Sequence, residues 1–415
     1  MYKLNNILVI NCGSSSLKYQ LIHLSTKAMF PQVLSKGLVE RIGIDGSQLN
    51  FFQNEMTRVV KQDIVNHQDA IELVFDNLVN REFGVIKDLS KIYSIGHRVV
   101  HGGEYFQDSV VINDDVKGRI RQCFDLAPLH NPPNLIGIEA CEKVIKKIPQ
   151  VAVFDTAFHQ TISPELFMYP LPYEYYDKYK IRKYGFHGTS HKYVANRAAE
   201  FLGKSIEKLK IITCHLGNGS SITAINGGKS VDTSMGFTPL AGLPMGTRCG
   251  DIDPAIVTFL IEKEKLNVDE INSIMNKKSG VLGISGVSSD FRDINNAINS
   301  GNNQAKLAID IFVKSIKKYI GSYIAILGGL DILVFTGGIG ENDSYVRMEC
   351  VNGLKLFGIS IDEQINKTKS KEERNISTEN AQISTLVIPT NEELMIAQEA
   401  FRICNCEDDK KSLKI

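Results

Sequence analysis

Three things are scarce in this 415-residue chain, and each scarcity excludes something. Charge of one sign is the first: 47 basic and 47 acidic residues leave a formal net charge of zero. Nucleic acids and anionic membranes favour basic proteins, so neither is expected as the main partner. Long apolar runs are the second. Near the start there is only Ile7-Leu8-Val9-Ile10, too short for a signal-peptide core, and no segment approaches the length of a membrane span. Paired cysteine motifs are the third. Cys12, Cys123, Cys141, Cys214, Cys249, Cys350, Cys404 and Cys406 include no C-x-x-C, so zinc-knuckle and thioredoxin-type chemistry is absent. Eight such cysteines in a long chain read as buried thiols of a reducing compartment, and a cytoplasmic location is expected.

The length exceeds one ordinary core, which predicts two domains or a duplicated unit. An internal echo supports duplication. Ile7 to Ile10 leads through Asn11-Cys12 into Gly13-Ser14-Ser15 and a second apolar stretch. About two hundred residues later Ile211-Ile212-Thr213-Cys214-His215-Leu216 leads into Gly217-Asn218-Gly219-Ser220-Ser221. Gly13-Ser14-Ser15 and Gly219-Ser220-Ser221 are read as occupying the same place in each unit. Further strands are predicted over 93–100, 151–154, 332–336 and 385–388, with a helix over 302–326. Residues 170–185 read as a connector, and Thr390-Asn391-Glu392-Glu393 as a capping box opening the last helix. From Glu407 onward the tail is charged and expected to fray. Alternating strands and helices give an α/β protein, with ligands at the carboxyl ends of strands.

Glycine-rich turns dominate the chemistry-bearing signals. Gly217-Asn218-Gly219 and Gly337-Gly338-Ile339-Gly340-Glu341-Asn342 both follow buried strands, where glycine lets backbone N–H groups approach phosphate. Asp343 stands where a dinucleotide fingerprint needs its third glycine. Gly228-Lys229-Ser230 and Gly203-Lys204-Ser205 lack the upstream glycine of a P-loop. Arg98, in Gly96-His97-Arg98-Val99-Val100-His101-Gly102-Gly103, is expected on one strand face with Val100: a guanidinium beside a small apolar wall, suited to a short carboxylate. Arg248 lies between Gly246 and Gly250. For either arginine a surface salt bridge is the plain alternative. His187 and His191 stand four apart, a spacing open to a metal, a phosphate donor or core histidines, though the metalloprotease glutamate is missing. Asp155 ends an apolar run, where a functional carboxylate and a turn aspartate are equally natural.

Together these segments resemble the acetate kinase family. The resemblance runs from Asn11 to Glu392 and adds Asp290-Phe291-Arg292-Asp293 and Thr390-Asn391-Glu392-Glu393 to the motifs above. It implies two related domains of the actin, sugar-kinase and Hsp70 type with ATP in the cleft between them. The boundaries implied are 1–156 plus 390–415 and 157–389, the last helix returning to the first domain. It implies a homodimer, acetate and ATP/ADP as substrates, and magnesium as cofactor, with manganese able to substitute.

Roles implied by the resemblance fall on matching positions. Asn11 and Glu392 belong to the magnesium site, and Lys18 contacts nucleotide phosphate. Arg98 binds the carboxylate, with Val100, Leu129, Phe186 and Pro239 around its methyl. Asp155 is the acid or base, and His187 and Arg248 stabilise the transition state. His215, Leu216, Gly217, Asn218, Gly219, Asp290, Phe291, Arg292, Gly338, Ile339, Gly340, Glu341 and Asn342 surround ATP. Cys249 departs mildly from relatives that carry serine.

Acetate is ionised near neutral pH, since carboxylic acids titrate at about 4. It needs no general base, so Asp155 is expected mainly to orient an arginine or a metal-bound water. Phosphoryl transfer then rests on positioning and positive charge. Propionate or butyrate kinase is the near rival. An actin- or Hsp70-like ATPase module and a nicotinamide oxidoreductase are the distant ones.

Overall fold

The structure, a computed structural model, describes residues 5–24, 31–53 and 56–412, the last six by backbone alone. It divides into two compact units. Unit 1 comprises residues 1–158 and 391–415, unit 2 residues 159–390.

Unit 1 is built on β1 (Asn5–Cys12), β2 (Ser16–Leu24), β3 (Gln32–Glu40), β4 (Gln48–Gln53), β5 (Met56–Lys61), β6 (Ile92–Val99), β7 (Val110–Val111) and β8 (Gln150–Phe154). They form one sheet in the order β5-β4-β3-β2-β1-β6-β8-β7. Unit 2 holds β9 (Lys210–Leu216), β10 (Ser220–Asn226), β11 (Lys229–Thr233), β12 (Ile332–Thr336), β13 (Arg374–Asn375) and β14 (Ser384–Val387), ordered β11-β10-β9-β12-β14-β13. Both sheets share a five-strand pattern. An antiparallel meander (β3-β2-β1 or β11-β10-β9) continues through two parallel additions (β6 and β8, or β12 and β14). The duplication expected from the sequence is therefore a repeat of topology. The strand β12 reads as an apolar run closed by Thr336, and every one of its residues is buried, as for a central parallel strand.

The echo is out of step by a few residues from the expected one. In unit 1 the turn is Gly13 to Ser15, and Gly13 N–H donates to Ser16 O. In unit 2 Ser220 and Ser221 already belong to β10, and Gly217 N–H closes the turn on Gly219 O. Gly13 therefore corresponds to Gly217, not Gly219. The last paired residues are Cys12 with Leu17 in unit 1 and Leu216 with Ser220 in unit 2, enclosing four and three residues, so the shared Gly-Ser-Ser letters misalign the two turns.

Other expectations are also corrected. A short helix, Tyr173–Tyr179, occupies the supposed connector. The last helix is Glu392–Ser412, and its cap is Asn391, whose Oδ1 accepts from Leu394 N–H at 3.0 Å. The Thr390 hydroxyl instead lies 2.8 Å from Ser190 Oγ, and its N–H is held by Glu341. The helical backbone continues to Ser412 where fraying was expected from Glu407; residues 413–415 lie outside the described ones. None of the eight cysteines forms a disulfide, but Cys249 is half-buried and Cys406 exposed.

One glycine sets the placement of that last helix. A Cβ on Gly96 in β6 would meet Ile396 Cγ2 at 2.7 Å. Its absence lets the helix lie close on β6, and Glu392, one helical turn before Ile396, is delivered beside Arg98.

Candidate active site

In unit 1 the predicted residues gather at the carboxyl ends of β1, β6 and β8. Arg98 is the penultimate residue of β6, and Asp155 directly follows β8, its parallel neighbour. Arg98 Nη2 donates to Asp155 Oδ2 at 2.6 Å, and Nε lies 3.1 and 3.3 Å from its two oxygens. Asp155 is 1% exposed. Its charge raises the guanidinium above the usual arginine range. The bonds use Nε and Nη2 and leave Nη1 for another carboxylate. Glu392 Oε2 stands 4.0 Å from Arg98 Nε. Asn11 and Lys18 are cross-strand partners in the β1–β2 register, and Lys18 pairs with Glu393. His97 and His101 flank Arg98 in sequence but carry no charge. Burial pushes His97 down to about 4 and His101 to about 3.

Val100 lies beyond the end of β6, so strand alternation does not extend to it. Its backbone instead is pinned from the helix Asn131–Val144. Asn134 Oδ1 accepts from Val100 N–H at 3.1 Å, while Asn134 Nδ2 donates to Cys12 O at 2.8 Å. Asn131 bonds both backbone groups of His101, and Thr156 Oγ1 accepts from Gly102 N–H. Sequence reading missed these residues. Their one signal is the pair of asparagines around Pro132-Pro133, which reads as an ordinary helix start.

The carboxyls Asp155, Glu392 and Glu393 outnumber the cations Arg98 and Lys18 here. Burial, reinforced by Asp155 and Glu393, raises Glu392 from its ordinary 4.5, and Arg98 and Lys18 offset only part of that. A folded-state value above the unfolded one means the folded protein binds this proton more tightly. The stability it contributes is complete below the unfolded value and is lost as pH rises through the folded one. We expect the thermal midpoint of the wild type to fall relative to Glu392→Gln as pH rises above about 4.5. Parallel curves for the two proteins would refute this.

Unit 2 collects a second set at the carboxyl ends of β9 and β12. His187 caps the helix Gly188–Phe201 with φ at 55°, a left-handed conformation uncommon outside glycine. Its Nδ1 is 2.9 Å from Ser221 Oγ, and its ring stacks on His215 at 4.4 Å. A Cβ on Gly219 would lie 3.5 Å from both His187 Nε2 and Arg248 Nη1, so this glycine opens the space that the two side chains border. Asn218 packs against Gly246, whose N–H it receives, and so ties the β9–β10 turn to the loop carrying Arg248. Ser289, next to Asp290, adjoins Gly246 from another side.

Arg248 is half-buried and has no carboxylate partner among the described residues. Its Nη1 reaches only Pro239 O at 3.3 Å and Met245 Sδ at 3.5 Å, and burial lowers its pKa. A desolvated cation without a counter-charge is costly and points to an anionic ligand. The alternative of an ordinary surface salt bridge therefore fails for Arg248. His191 is a core histidine bonded to Thr213 and Ser221, and among the described residues no group of three or more His, Cys, Asp and Glu is placed to hold a metal.

The Gly337–Asn342 segment is a one-turn helix, not an open turn. Gly337 adopts φ 77° against the Leu216 backbone, where a Cβ would clash at 2.7 Å. The Glu341 carboxylate accepts from the N–H groups of Gly337 and Thr390, a structural tie rather than a free acceptor. Arg347, 1% exposed, donates to the carbonyls of Gly340 and Glu341, both at 2.9 Å. It closes the short helix's carboxyl end, and nothing in its own segment announced it. Asp290 caps the helix Phe291–Asn299 and pairs with Arg292, whose side chain is 89% exposed. The methyl-pocket candidates are divided: Val100 and Leu129 in unit 1, Phe186 and Pro239 in unit 2. Val100 and Phe186 are buried, whereas Leu129 is 73% exposed.

The sequence profile described as "Acetokinase family" matches residues 6–398. The chain is 58% identical to the acetate kinase of Acetivibrio thermocellus over 96% of its own length and 99% of that protein. It is 57% identical to that of Clostridium novyi, over 96% and 98%. Among solved structures, Porphyromonas gingivalis acetate kinase superposes with a TM-score of 0.92 at 46% identity, covering 96% of this chain and 100% of that one. A propionate kinase from Francisella tularensis gives 0.88 at 46%, with the same coverage.

Proposed function

The chain belongs to the acetokinase family, and on that premise we propose that it transfers the γ-phosphoryl group of ATP to acetate, reversibly, giving acetyl phosphate and ADP. The observation that carries this reading is Arg248: an uncompensated guanidinium beside His187 and a glycine turn, a setting for a polyanion. Arg98, fixed by Asp155, offers Nη1 to the acceptor carboxylate, which arrives ionised. Arg248 and His187 donate to the phosphoryl oxygens as charge spreads over them. The turn Gly217 to Gly219, the residues Asp290 to Arg292 and the helix Gly337–Asn342 hold the nucleotide, and Lys18 neutralises phosphate.

The oxygen donors Asn11 and Glu392 fit magnesium or manganese. Glu392 is a carboxyl whose ionisation burial opposes and a cation would favour, and Mg2+ takes one or two carboxylates while keeping water and phosphate ligands. When bound, the ion would neutralise the charge of the phosphates. Asp155 orients Arg98 and removes no proton.

Val100, buried in unit 1, supplies an apolar wall for the acceptor methyl. One methylene there is worth about 1–3 kcal/mol, so propionate is a poorer substrate rather than an excluded one. Val100→Ala should narrow the acetate–propionate difference in kcat/KM; an unchanged ratio counts against this wall. The relatives at 57–58% identity are named acetate kinases, which favours acetate over the propionate reading. A hydroxamate assay of acyl phosphate with acetate, propionate and butyrate tests the function, and no product from acetate would overturn it.

We also infer a homodimer. The helix Ala255–Glu264 is rich in apolar residues yet buries none of them, with Ile256 43% and Phe259 56% exposed. A second copy is the occupant that the family resemblance supplies, and sedimentation at single-chain mass would refute it. A cytoplasmic location is consistent with eight cysteines that form no disulfide. Recovery of the native protein with disulfides would contradict it.

A further inference from the structure

Behind His187 runs a buried chain of alternating hydroxyls and imidazoles, all within unit 2. His187 Nδ1 is 2.9 Å from Ser221 Oγ, Ser221 Oγ is 2.7 Å from His191 Nε2, and His191 Nδ1 is 2.7 Å from Thr213 Oγ1. Ser221, His191 and Thr213 are each fully buried. Burial, with His159 and His215 nearby, pushes His191 well below the usual histidine range, so it is neutral and carries one N–H.

Proton counting then leaves two directions for the chain. In the outward direction Thr213 O–H donates to His191 Nδ1, His191 Nε2–H donates to Ser221 Oγ, and Ser221 O–H donates to His187 Nδ1. Every hydrogen has an acceptor. In the inward direction each bond reverses, and the Thr213 hydroxyl hydrogen is left in the core. That hydroxyl has no other partner among the described residues. A buried donor without an acceptor is costly, and this favours the outward direction.

We propose that Ser221 is a positioning residue that holds His187 as its neutral Nε2–H tautomer, so that the ring presents a donor on the side where Gly219 leaves space beside Arg248. The inference rests on the reading of His187 as a phosphoryl-oxygen donor and deepens it. An imidazolium would require Ser221 to accept, reversing the whole chain. The titratable and charged groups packed about the ring add to that bias. His215 stacks on it, His191 reaches it through Ser221, and Arg248 Nη1 borders the same space. His187 therefore donates without carrying charge, while Arg248 supplies the charge.

The test is nitrogen NMR of the full chain with 15N-labelled histidine, the His187 signals being assigned by their loss in His187→Gln. The wild type should show an unprotonated Nδ1 and a protonated Nε2 at neutral pH. Ser221→Ala should shift His187 toward a tautomer mixture and lower kcat about tenfold, the loss of one hydrogen bond's worth of selection. KM for ATP and for acetate should change less than about twofold, since ground-state binding is not what Ser221 serves. Ser221→Thr should restore both tautomer and rate. A protonated Nδ1 in the wild type, or an unmoved His187 signal in Ser221→Ala, would overturn the proposal. A shifted tautomer with full kcat would support Ser221's positioning role and overturn the transition-state role of His187 instead. The wild-type spectrum decides the tautomer even if the alanine variant does not fold.

Discussion

Replacing Arg248 with alanine should lower kcat about 10^3-fold, the scale of losing one preorganised cationic donor in phosphoryl transfer. It should leave the fold as stable as before. Both halves follow from what the guanidinium touches. Its partners are a carbonyl at 3.3 Å and a thioether at 3.5 Å, so removal orphans no carboxylate. Burial already lowers its pKa, so removal also relieves an uncompensated charge. The thermal midpoint of Arg248→Ala should match or exceed that of the wild type while turnover collapses. Arg248→Lys keeps a charge but loses the planar fork and should recover only part of the rate. Added guanidine should partly rescue the alanine variant. A kcat within tenfold of wild type would remove Arg248 from the transition state.

Much of the scaffold for that arginine was legible in the sequence, because local pattern determines it. The apolar run ending at Thr336 is the strand β12, and Asn302 caps the helix Asn303–Leu327 where the pattern placed its start. Glycines flagged the places where backbone comes close, and Gly337 does sit where a Cβ would clash with the Leu216 backbone. What a turn becomes was less legible. Gly337–Asn342 winds into a helical turn because Arg347, on the following helix, takes up its last carbonyls. Similarly, the pinning of Val100 depends on Asn134, that of His101 on Asn131, and the orientation of His187 on Ser221. These are common residues whose work comes from burial and from partners 30 or more positions away. Spacing within a motif carries no trace of that.

Arg98 should behave in the opposite way to Arg248, and the contrast separates the two arginines. Arg98→Ala leaves Asp155, 1% exposed, without the guanidinium that meets both its oxygens. Breaking one partner of a buried pair costs about 3–5 kcal/mol. Arg98→Ala should therefore unfold at markedly lower denaturant and also lose acetate binding. Asp155→Asn preserves the shape and removes the charge, and Arg98 keeps Glu392 at 4.0 Å as a counter-charge. Its stability loss should be smaller. The double variant Arg98→Met/Asp155→Asn should regain much of the stability lost in the arginine single variant and none of the activity, since the buried aspartate charge is removed together with its partner but nothing binds the acceptor. Kinetics of Asp155→Asn then decide what the carboxylate does. An orienting group, once removed, raises KM for acetate and lowers kcat without changing the shape of the pH profile. A proton acceptor, once removed, erases a limb of that profile. With an acceptor ionised above about pH 4 there is no proton to take. The profile should keep both limbs, and loss of one with unchanged magnesium affinity would assign Asp155 to proton transfer after all.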